Sequence, residues 1–366
     1  MKIVHVESGR HLYGGARQVA YLIKGLSDRR IDNVLVCTSP QIFDGNLSGA
    51  EIVAMTMAGD LDFGMVRRLE RVFKRIDPDL IHVHSRRGAD LFTGLAIKSG
   101  RWPAILTRRV DNPELRSWAQ YKYRPYTRLV AISQAVQTQL RDRVGIEARR
   151  LRCIASAVDA DRFHPNRSAR ARLIHDFELG EGDFIIGVVA QLIQRKGHAA
   201  LLDCITELIR RHRHIKVLCF GRGPLERQLQ RRIASLKLSP YVKLTGFRAD
   251  IDALLPGLDL LVHPAEREGL GVAVLEAMSC EIAVVACQAG GLADLIDSGI
   301  EGLLVPVGSR DQLVAAVERL VADSEAREAM GKMGRIRVKR DFSVDRMSER
   351  YLELYRSVCE SRYDNK

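Results

Sequence analysis

The chain has 366 residues, 46% of them hydrophobic and 28% charged, with a formal net charge of +12. That length suits two α/β domains of ordinary size. No apolar run reaches the roughly 20 residues needed to cross a bilayer, and seven cysteines without a C-x-x-C pair argue against a zinc site or a disulfide framework and suit a reduced cytoplasm. The first 165 residues hold 27 Lys and Arg against 17 Asp and Glu, the remainder 30 against 28, so the basic face belongs to the first half. Such a face could meet nucleic acid, an anionic membrane or a phosphorylated acceptor.

A strand is expected over 3–6, running straight into a polar glycine loop, which is unlike a signal peptide. Helix over 16–26, strand over 33–37, helix over 65–76 and strand over 80–83 follow, an alternation that implies a parallel sheet wrapped by helices. A second series covers 184–189, 199–211, 215–220, 225–236 and 258–262. Between them lie Val158, Asp159, Phe163 and Pro165 and then a charged run, so domains over 1–160 and 166–344 are expected. Phe342 and Ser343 open a last helix, about 345–366, that carries Tyr351, Leu352, Leu354 and Tyr355. Asp159 with Asp161, and Asp77 with Asp79, have the form of a D-x-D metal motif. They read better as turn residues whose carboxylates accept backbone amides, and no metal is expected. Ser133 reads as a helix N-cap before 135–140.

The densest chemistry lies between His263 and Met278, where a buried strand passes through Glu268, Gly269, Leu270, Gly271 and Val272 into a helix carrying Glu276. A strand, a glycine turn and a helix start make an anion site, because the first amides of a helix lack partners within it and its dipole favours negative charge. Glu268 and Glu276 suit sugar hydroxyls, which can donate to them, better than phosphate. On spacing alone the stretch reads equally as an ordinary strand-to-helix connection. Upstream, Arg195 and Lys196 follow the strand over 184–189, where two cations can neutralise a diphosphate. Gly221 and Gly223 follow another strand, Phe247 a third, and Gly15, after Tyr13 and Gly14, opens the first helix. His82 and His84 share one face at the end of the strand over 80–83, and Arg108, Arg109 and Asn112 follow the next strand.

These residues resemble the retaining GT-B glycosyltransferases of glycosyltransferase family 4, whose Glu-x7-Glu signature matches Glu268 and Glu276. The resemblance implies two Rossmann-like domains whose parallel sheets face an interdomain cleft, with the last helix crossing back onto the first domain. It assigns Lys196 and Arg195 to the donor diphosphate, Glu268 and His84 to the sugar and Glu276 to the ribose. Gly15, Gly221, Gly223, Phe247, Gly269, Leu270, Gly271 and Val272 would line the donor site, while Arg108, Arg109 and Asn112 would meet the acceptor. His82 is expected to be a packed strand residue. Departures are Gln191 where the family usually has Arg, Arg222 within its Gly-Asp-Gly-Pro turn, Asp294 for a Glu, and Glu281 where a glycine commonly ends the Glu-bearing helix. Glu tolerates a positive φ poorly, so that last turn is expected to be reshaped.

The implied activity is transfer of a sugar from a nucleotide-sugar donor, a uridine nucleotide by prior, to a hydroxyl of a glycan or glycolipid acceptor, as in lipopolysaccharide core synthesis. No metal or other cofactor is expected. The expected location is cytoplasmic, with a peripheral position on the inner face of the membrane as an option. Two stretches bear on that option. Residues 66–76 combine an apolar stripe with a basic face and are expected to pack on their own sheet. Residues 115–129 interleave Trp118, Tyr121, Tyr123 and Tyr126 with Arg116, Lys122, Arg124 and Arg128, a pattern suited to an anionic leaflet or an acceptor. The rivals are a nucleotide-sugar epimerase of the same architecture and a basic nucleic-acid-binding protein, the second disfavoured by the nearly neutral second half.

Overall fold

The computed structural model describes residues 1–9, 14–43, 45, 47–86, 88–98, 102–110 and 112–363, without the side chains of the last two. Tyr13 therefore lies outside the described residues. The chain divides into two units, Met1–Ala157 with Val344–Lys366, and Val158–Ser343. The division falls at Ala157, at the start of the segment that the sequence marks as a linker.

The first unit contains β1 (Lys2–Glu7), β2 (Asp32–Cys37), β3 (Ala50–Ala54), β4 (Leu80–Val83), β5 (Ala104–Arg108), β6 (Arg128–Ala131) and β7 (Leu151–Cys153). They form one sheet in the order β3-β2-β1-β4-β5-β6-β7, and every pairing is parallel. A parallel sheet is covered on both faces. Helices Met65–Ile76, Ala89–Ala96 and Arg116–Tyr123 supply Leu69, Phe73, Phe92, Ala119 and Tyr123 to one layer. On the other, Leu22 and Leu26 of helix Gly14–Ser27 pack with Met347, Tyr351, Tyr355 and Val358 of helix Val344–Tyr363.

The second unit holds β8 (Phe184–Val189), β9 (Ile215–Phe220), β10 (Val242–Gly246), β11 (Leu260–His263), β12 (Val284–Cys287) and β13 (Gly302–Val305) in the order β10-β9-β8-β11-β12-β13, again all parallel. In both sheets the strand order reverses once, between β1 and β4 and between β8 and β11. At such a switch point the two crossovers leave to opposite sides, and the carboxyl ends of the strands are left open to a ligand.

Local expectations can be compared with this fold. Asp159 Oδ1 accepts the amides of Asp161 and Arg162, both at 3.1 Å, and Asp79 Oδ2 accepts the Lys2 amide at 2.8 Å. Ser133 Oγ accepts the Val136 amide at 3.2 Å, although the helix it caps, Gln134–Thr138, widens into a π-helical segment at Gln139–Val144. Glu281 itself adopts φ 61°, so the turn after helix Val272–Ser279 keeps its left-handed form without glycine. Arg335 steadies that turn by donating to the Ser279 carbonyl.

The stretch over 115–129 differs from its reading as a membrane face. Tyr123 and Tyr126 are buried in the core, and Lys122 is buried in ion pairs with Asp90 and Glu114. Leu115, Trp118 and Tyr121 remain exposed, with the Trp118 and Tyr121 rings stacked 6.0 Å apart. Helical spacing turns positions 119, 122 and 123 inward together, and Tyr126, past the end of that helix, donates to the Asp90 carbonyl, neither of which a count of aromatics can reveal. The stripe of helix Met65–Ile76, namely Met65, Leu69 and Phe73, is consumed by the core; Arg67, Arg71 and Arg75 face solvent, whereas Arg68 pairs with Asp62. Among the described residues no helix is long and apolar enough to cross a membrane. None of the seven cysteines is in a disulfide.

Candidate active site

In the second unit the site grows from the loops after β8 and β11. The Glu266 amide donates to the Arg195 carbonyl at 2.9 Å and Arg195 Nη1 to the Arg267 carbonyl at 3.2 Å, so each loop holds the other. Gly197 permits this: its φ is 72°, and a Cβ there would lie 2.0 Å from the Pro264 carbonyl oxygen. The contact sets Lys196 Nζ against Glu268 Oε2. His263 Nε2 lies 2.8 Å from the same oxygen, and the Gly269 amide donates to Oε1 at 3.0 Å.

Burial opposes the charge on Glu268, but the His263 hydrogen bond and the Lys196 charge together hold its carboxyl well below the usual range. Burial also lowers His263, against the pull of Glu268, so the imidazole is neutral near pH 7 and donates Nε2–H to the carboxylate. Its Nδ1 has no partner among the described residues. Gly271, at φ 106°, then starts helix Val272–Ser279. Leu270 and Glu276 are buried and Val272 partly so, and the opening amides of that helix have no acceptor within it. The 221–225 turn lies along the 190–192 backbone, with the Leu192 amide donating to the Arg222 carbonyl at 3.0 Å and the Leu225 amide to the Leu192 carbonyl at 3.1 Å. Gly221 and Gly223 thereby line the same strand ends. Phe247 sits after the edge strand β10, 47% exposed and apart from the Lys196 cluster.

In the first unit, β1 and β4 bring His5 and His84 together at the switch point, with His5 Nδ1 3.0 Å from His84 Nε2. His5 Nε2 reaches Asn33 Oδ1 at 3.1 Å. His84 Nδ1 faces Arg109 Nη2 at 3.5 Å, and Arg109 Nη1 lies 3.5 Å from Ser156 Oγ. Arg109 Cδ also lies 3.7 Å from where a Cβ on Gly15 would stand, so Gly15, His84 and Arg109 adjoin. Burial pushes His5 down to about 4 and holds His84 well below its ordinary value, so both rings are neutral near pH 7. His82 is a packed strand residue, 2.6 Å from Tyr355 Oη and 2.7 Å from Thr107 Oγ1.

The three acceptor candidates separate. Arg109 joins His84, whereas Arg108 is buried, pairs with Glu114 at 3.1 Å and donates to the Asn112 carbonyl at 2.6 Å. Its guanidinium is turned inward, because Glu114 is held among Lys122, Tyr123 and Arg108 and needs their charge and protons. The Asn112 side chain is exposed.

Residues without an assigned role in the sequence also enter. His5 stands between Val4 and Val6 in a buried strand, a polar interruption that could have flagged it. Glu7 closes β1, where burial raises its carboxyl despite the Gly9 amide at 2.7 Å and the charge of Arg109. One ring nitrogen from each of His5, His82 and His84 lies within 4.8 Å of the other two, close enough to raise a metal site, yet every nitrogen of the three rings has a protein partner already named.

Two doubly wound units carry a cationic and acidic cluster at one switch point and a neutral imidazole and an arginine at the other, groups whose chemistry suits an anionic ligand and hydroxyls. Comparisons with known proteins agree. Residues 13–162 match the family described as "Glycosyltransferase Family 4" and residues 170–337 the family described as "Glycosyl transferases group 1". The chain belongs to the family 4 glycosyltransferases and has the GT-B fold.

It is 33% identical over 187 residues to a GDP-mannose-dependent alpha-(1-6)-phosphatidylinositol monomannoside mannosyltransferase of Mycolicibacterium smegmatis, an alignment covering 49% of each chain. It is 26% identical over 282 residues to a lipopolysaccharide core biosynthesis mannosyltransferase, LpcC, of Rhizobium leguminosarum bv. viciae, covering 75% of this chain and 78% of that one. The chain thus spans between about half and about four-fifths of the length of these relatives. Among solved structures, Anabaena HepE in complex with UDP and glucose superimposes with a TM-score of 0.86 at 21% identity, covering 98% of this chain and 100% of that one.

Proposed function

We propose that this glycosyltransferase moves a sugar from a nucleotide-sugar donor to a hydroxyl of a glycan or glycolipid of the cell envelope, with retention at the anomeric carbon and without a metal ion. The observation that carries this reading is the Lys196, Glu268 and His263 cluster at the β8/β11 switch point, beside the opening amides of helix Val272–Ser279. Lys196 and Glu268 neutralise each other. A donor would share both, its diphosphate taking Lys196 and Arg195 and a sugar hydroxyl donating to Glu268, with Glu276 on the ribose. The diphosphate, once leaving, accepts the proton of the attacking hydroxyl on the same face, so the protein supplies placement and fixed charge rather than a nucleophile. Lysine and arginine cations do there what a divalent ion does elsewhere.

The names of the two mannosyltransferase relatives, one for phosphatidylinositol monomannoside and one for lipopolysaccharide core biosynthesis, support a lipid-linked acceptor. A peripheral position at the cytoplasmic face of the membrane is part of the reading. Exposed Leu61, Phe63, Leu115, Trp118 and Tyr121 would touch the lipid, with the solvent-facing Arg67, Arg71, Lys74 and Arg75 near in sequence to the first pair.

A thermal-shift panel of UDP- and GDP-sugars, run with and without EDTA, tests the donor half. One donor should stabilise the protein equally in both conditions, and Lys196→Ala and Glu276→Ala should each abolish the shift. A shift that requires a divalent ion, or a product whose anomeric proton shows inversion, rejects the mechanism. Flotation with anionic vesicles at low salt tests the membrane contact, which fails if the protein stays in solution.

A further inference from the structure

We propose that Asn33 and His5 act as positioning residues that hold His84 with its proton on Nε2 and a lone pair on Nδ1, so that His84 accepts a hydrogen bond from a hydroxyl of the substrate. Asn33 stands in β2, which pairs with β1. Its Nδ2 donates to two carbonyls, Ile31 at 2.9 Å and Gly49 at 3.4 Å, so the atom that faces His5 is Oδ1, which can only accept. His5 Nε2 must therefore carry a proton. Burial keeps His5 neutral, which leaves Nδ1 as a lone pair. His84 Nε2, 3.0 Å from that lone pair, must in turn donate. A neutral His84 then keeps its one lone pair on Nδ1, and the group opposite it, Arg109 Nη2 at 3.5 Å, can only donate.

Among the described residues no neighbour competes for this order. The His82 ring packs 3.7 Å from that of His84, but its nitrogens engage Tyr355 and Thr107. Tyr351 bonds to Thr107 at 3.0 Å, Glu7 to the Gly9 amide, and Cys37 is a buried thiol. A hydroxyl placed between His84 Nδ1 and Arg109 can donate to the first and accept from the second. A phosphate oxygen can accept from Arg109 but meets only a lone pair on the imidazole. The use of the lone pair rests on the transfer reading above, whereas the tautomer does not.

Histidine-selective 15N labelling of the full chain tests the tautomers, since two-bond proton–nitrogen correlations distinguish Nε2–H from Nδ1–H rings. At pH 7 both His5 and His84 should appear as Nε2–H, and an Nδ1–H or doubly protonated form of either overturns the proposal. In Asn33→Asp the carboxylate raises the proton affinity of His5. On acidification His5 should charge first, donate from Nδ1 as well, and switch His84 to the Nδ1–H form over a range in which the wild type does not change.

A His84 signal that ignores a charged His5 overturns the relay. Should Asn33→Asp fail to fold, His5→Phe, which removes the acceptor in a similar volume, should leave His84 averaged between tautomers, and a pure Nε2–H form there overturns it equally. Line broadening of His5, His82 and His84 together by Co2+ would also overturn it, because a metal needs lone pairs the relay assigns to protons. None of these spectra requires a sugar nucleotide, so a failed donor panel leaves them standing. Addition of the donor chosen by the panel should move the Nδ1 signal of His84, and an unmoved signal rejects the hydroxyl contact alone.

Discussion

The two switch points have the same architecture and opposite electrostatics. Where β1 meets β4, three neutral imidazoles are satisfied by one another and by Asn33, Thr107 and Tyr355, and the nearby cation, Arg109, stands at the margin. Where β8 meets β11, a lysine and a glutamate are paired with side chains only 11% and 12% exposed, and a neutral histidine donates to the carboxylate. A neutral network holds a geometry without attracting counter-charge. A buried ion pair holds charge ready for exchange, because the attraction between the partners only offsets their loss of water. The proposed transfer, in which a diphosphate departs and a neutral hydroxyl attacks, has use for one of each.

Breaking the charged half should have the largest effect. Lys196→Met removes the cation from Glu268 and from the donor, and transfer should fall by roughly 10³-fold, the scale seen when a preorganised electrostatic group is lost. Glu268→Gln keeps a hydrogen-bonding group for His263 and should fall less, on the order of 10²-fold. Initial rates with the donor found by the panel decide the order, and equal losses would mean that the pair acts only as a structural clamp.

The neutral half should show in pH dependence. His5, His82 and His84 are depressed in the fold by burial, so below about pH 6.5 the unfolded chain binds protons that the folded one refuses. Stability is then complete above that value and is lost as pH falls toward the folded value of about 4 for His5, by about 1.4 kcal/mol per pH unit for each histidine. His198 and His263 add to the loss in the second unit, while the Glu268 contribution holds until pH falls below about 4.3. Both tryptophans, Trp102 and Trp118, lie in the first unit, so urea midpoints from their fluorescence at pH 7, 6 and 5 report on it. A flat midpoint would mean that the imidazoles are not held neutral.

The smallest effect is expected outside both clusters. Glu281 sits at φ 61°, and Glu281→Gly should stabilise the chain by about 0.5 kcal/mol through relief of that backbone strain, offset in part by the freer unfolded chain. Donor binding should be unchanged even though this turn ends the helix that carries Glu276, and calorimetry of the unliganded and liganded protein checks both statements.

Much of this was legible in the residues. Strands over 80–83, 184–189 and 215–220 and the helix over 65–76 coincide with the observed ends, since each is a mainly apolar run or stripe bounded by turn residues. Lys196, Glu268 and His84 were legible through their motif and their place after strands. What misled was composition without direction: Lys122, Tyr123 and Tyr126 counted as an interfacial face, and Arg108 counted as an acceptor contact, although all four are buried. Asp90 and Glu114, which bury two of those cations, lie 32 and 8 positions from Lys122 in the chain, and no local pattern announces such a pairing.

By itself the sequence determined the alternation of strands and helices, the two parallel sheets and the loops that hold the reactive residues, because periodicity and glycine placement act within a few residues of where they are read. Only the tertiary structure decided the partners: that Lys196 meets Glu268 across 72 positions, and that His5 meets His84 across 79. Contacts of that span follow from strand order, and whether a charge is solvated, paired or neutralised depends on what that order brings beside it.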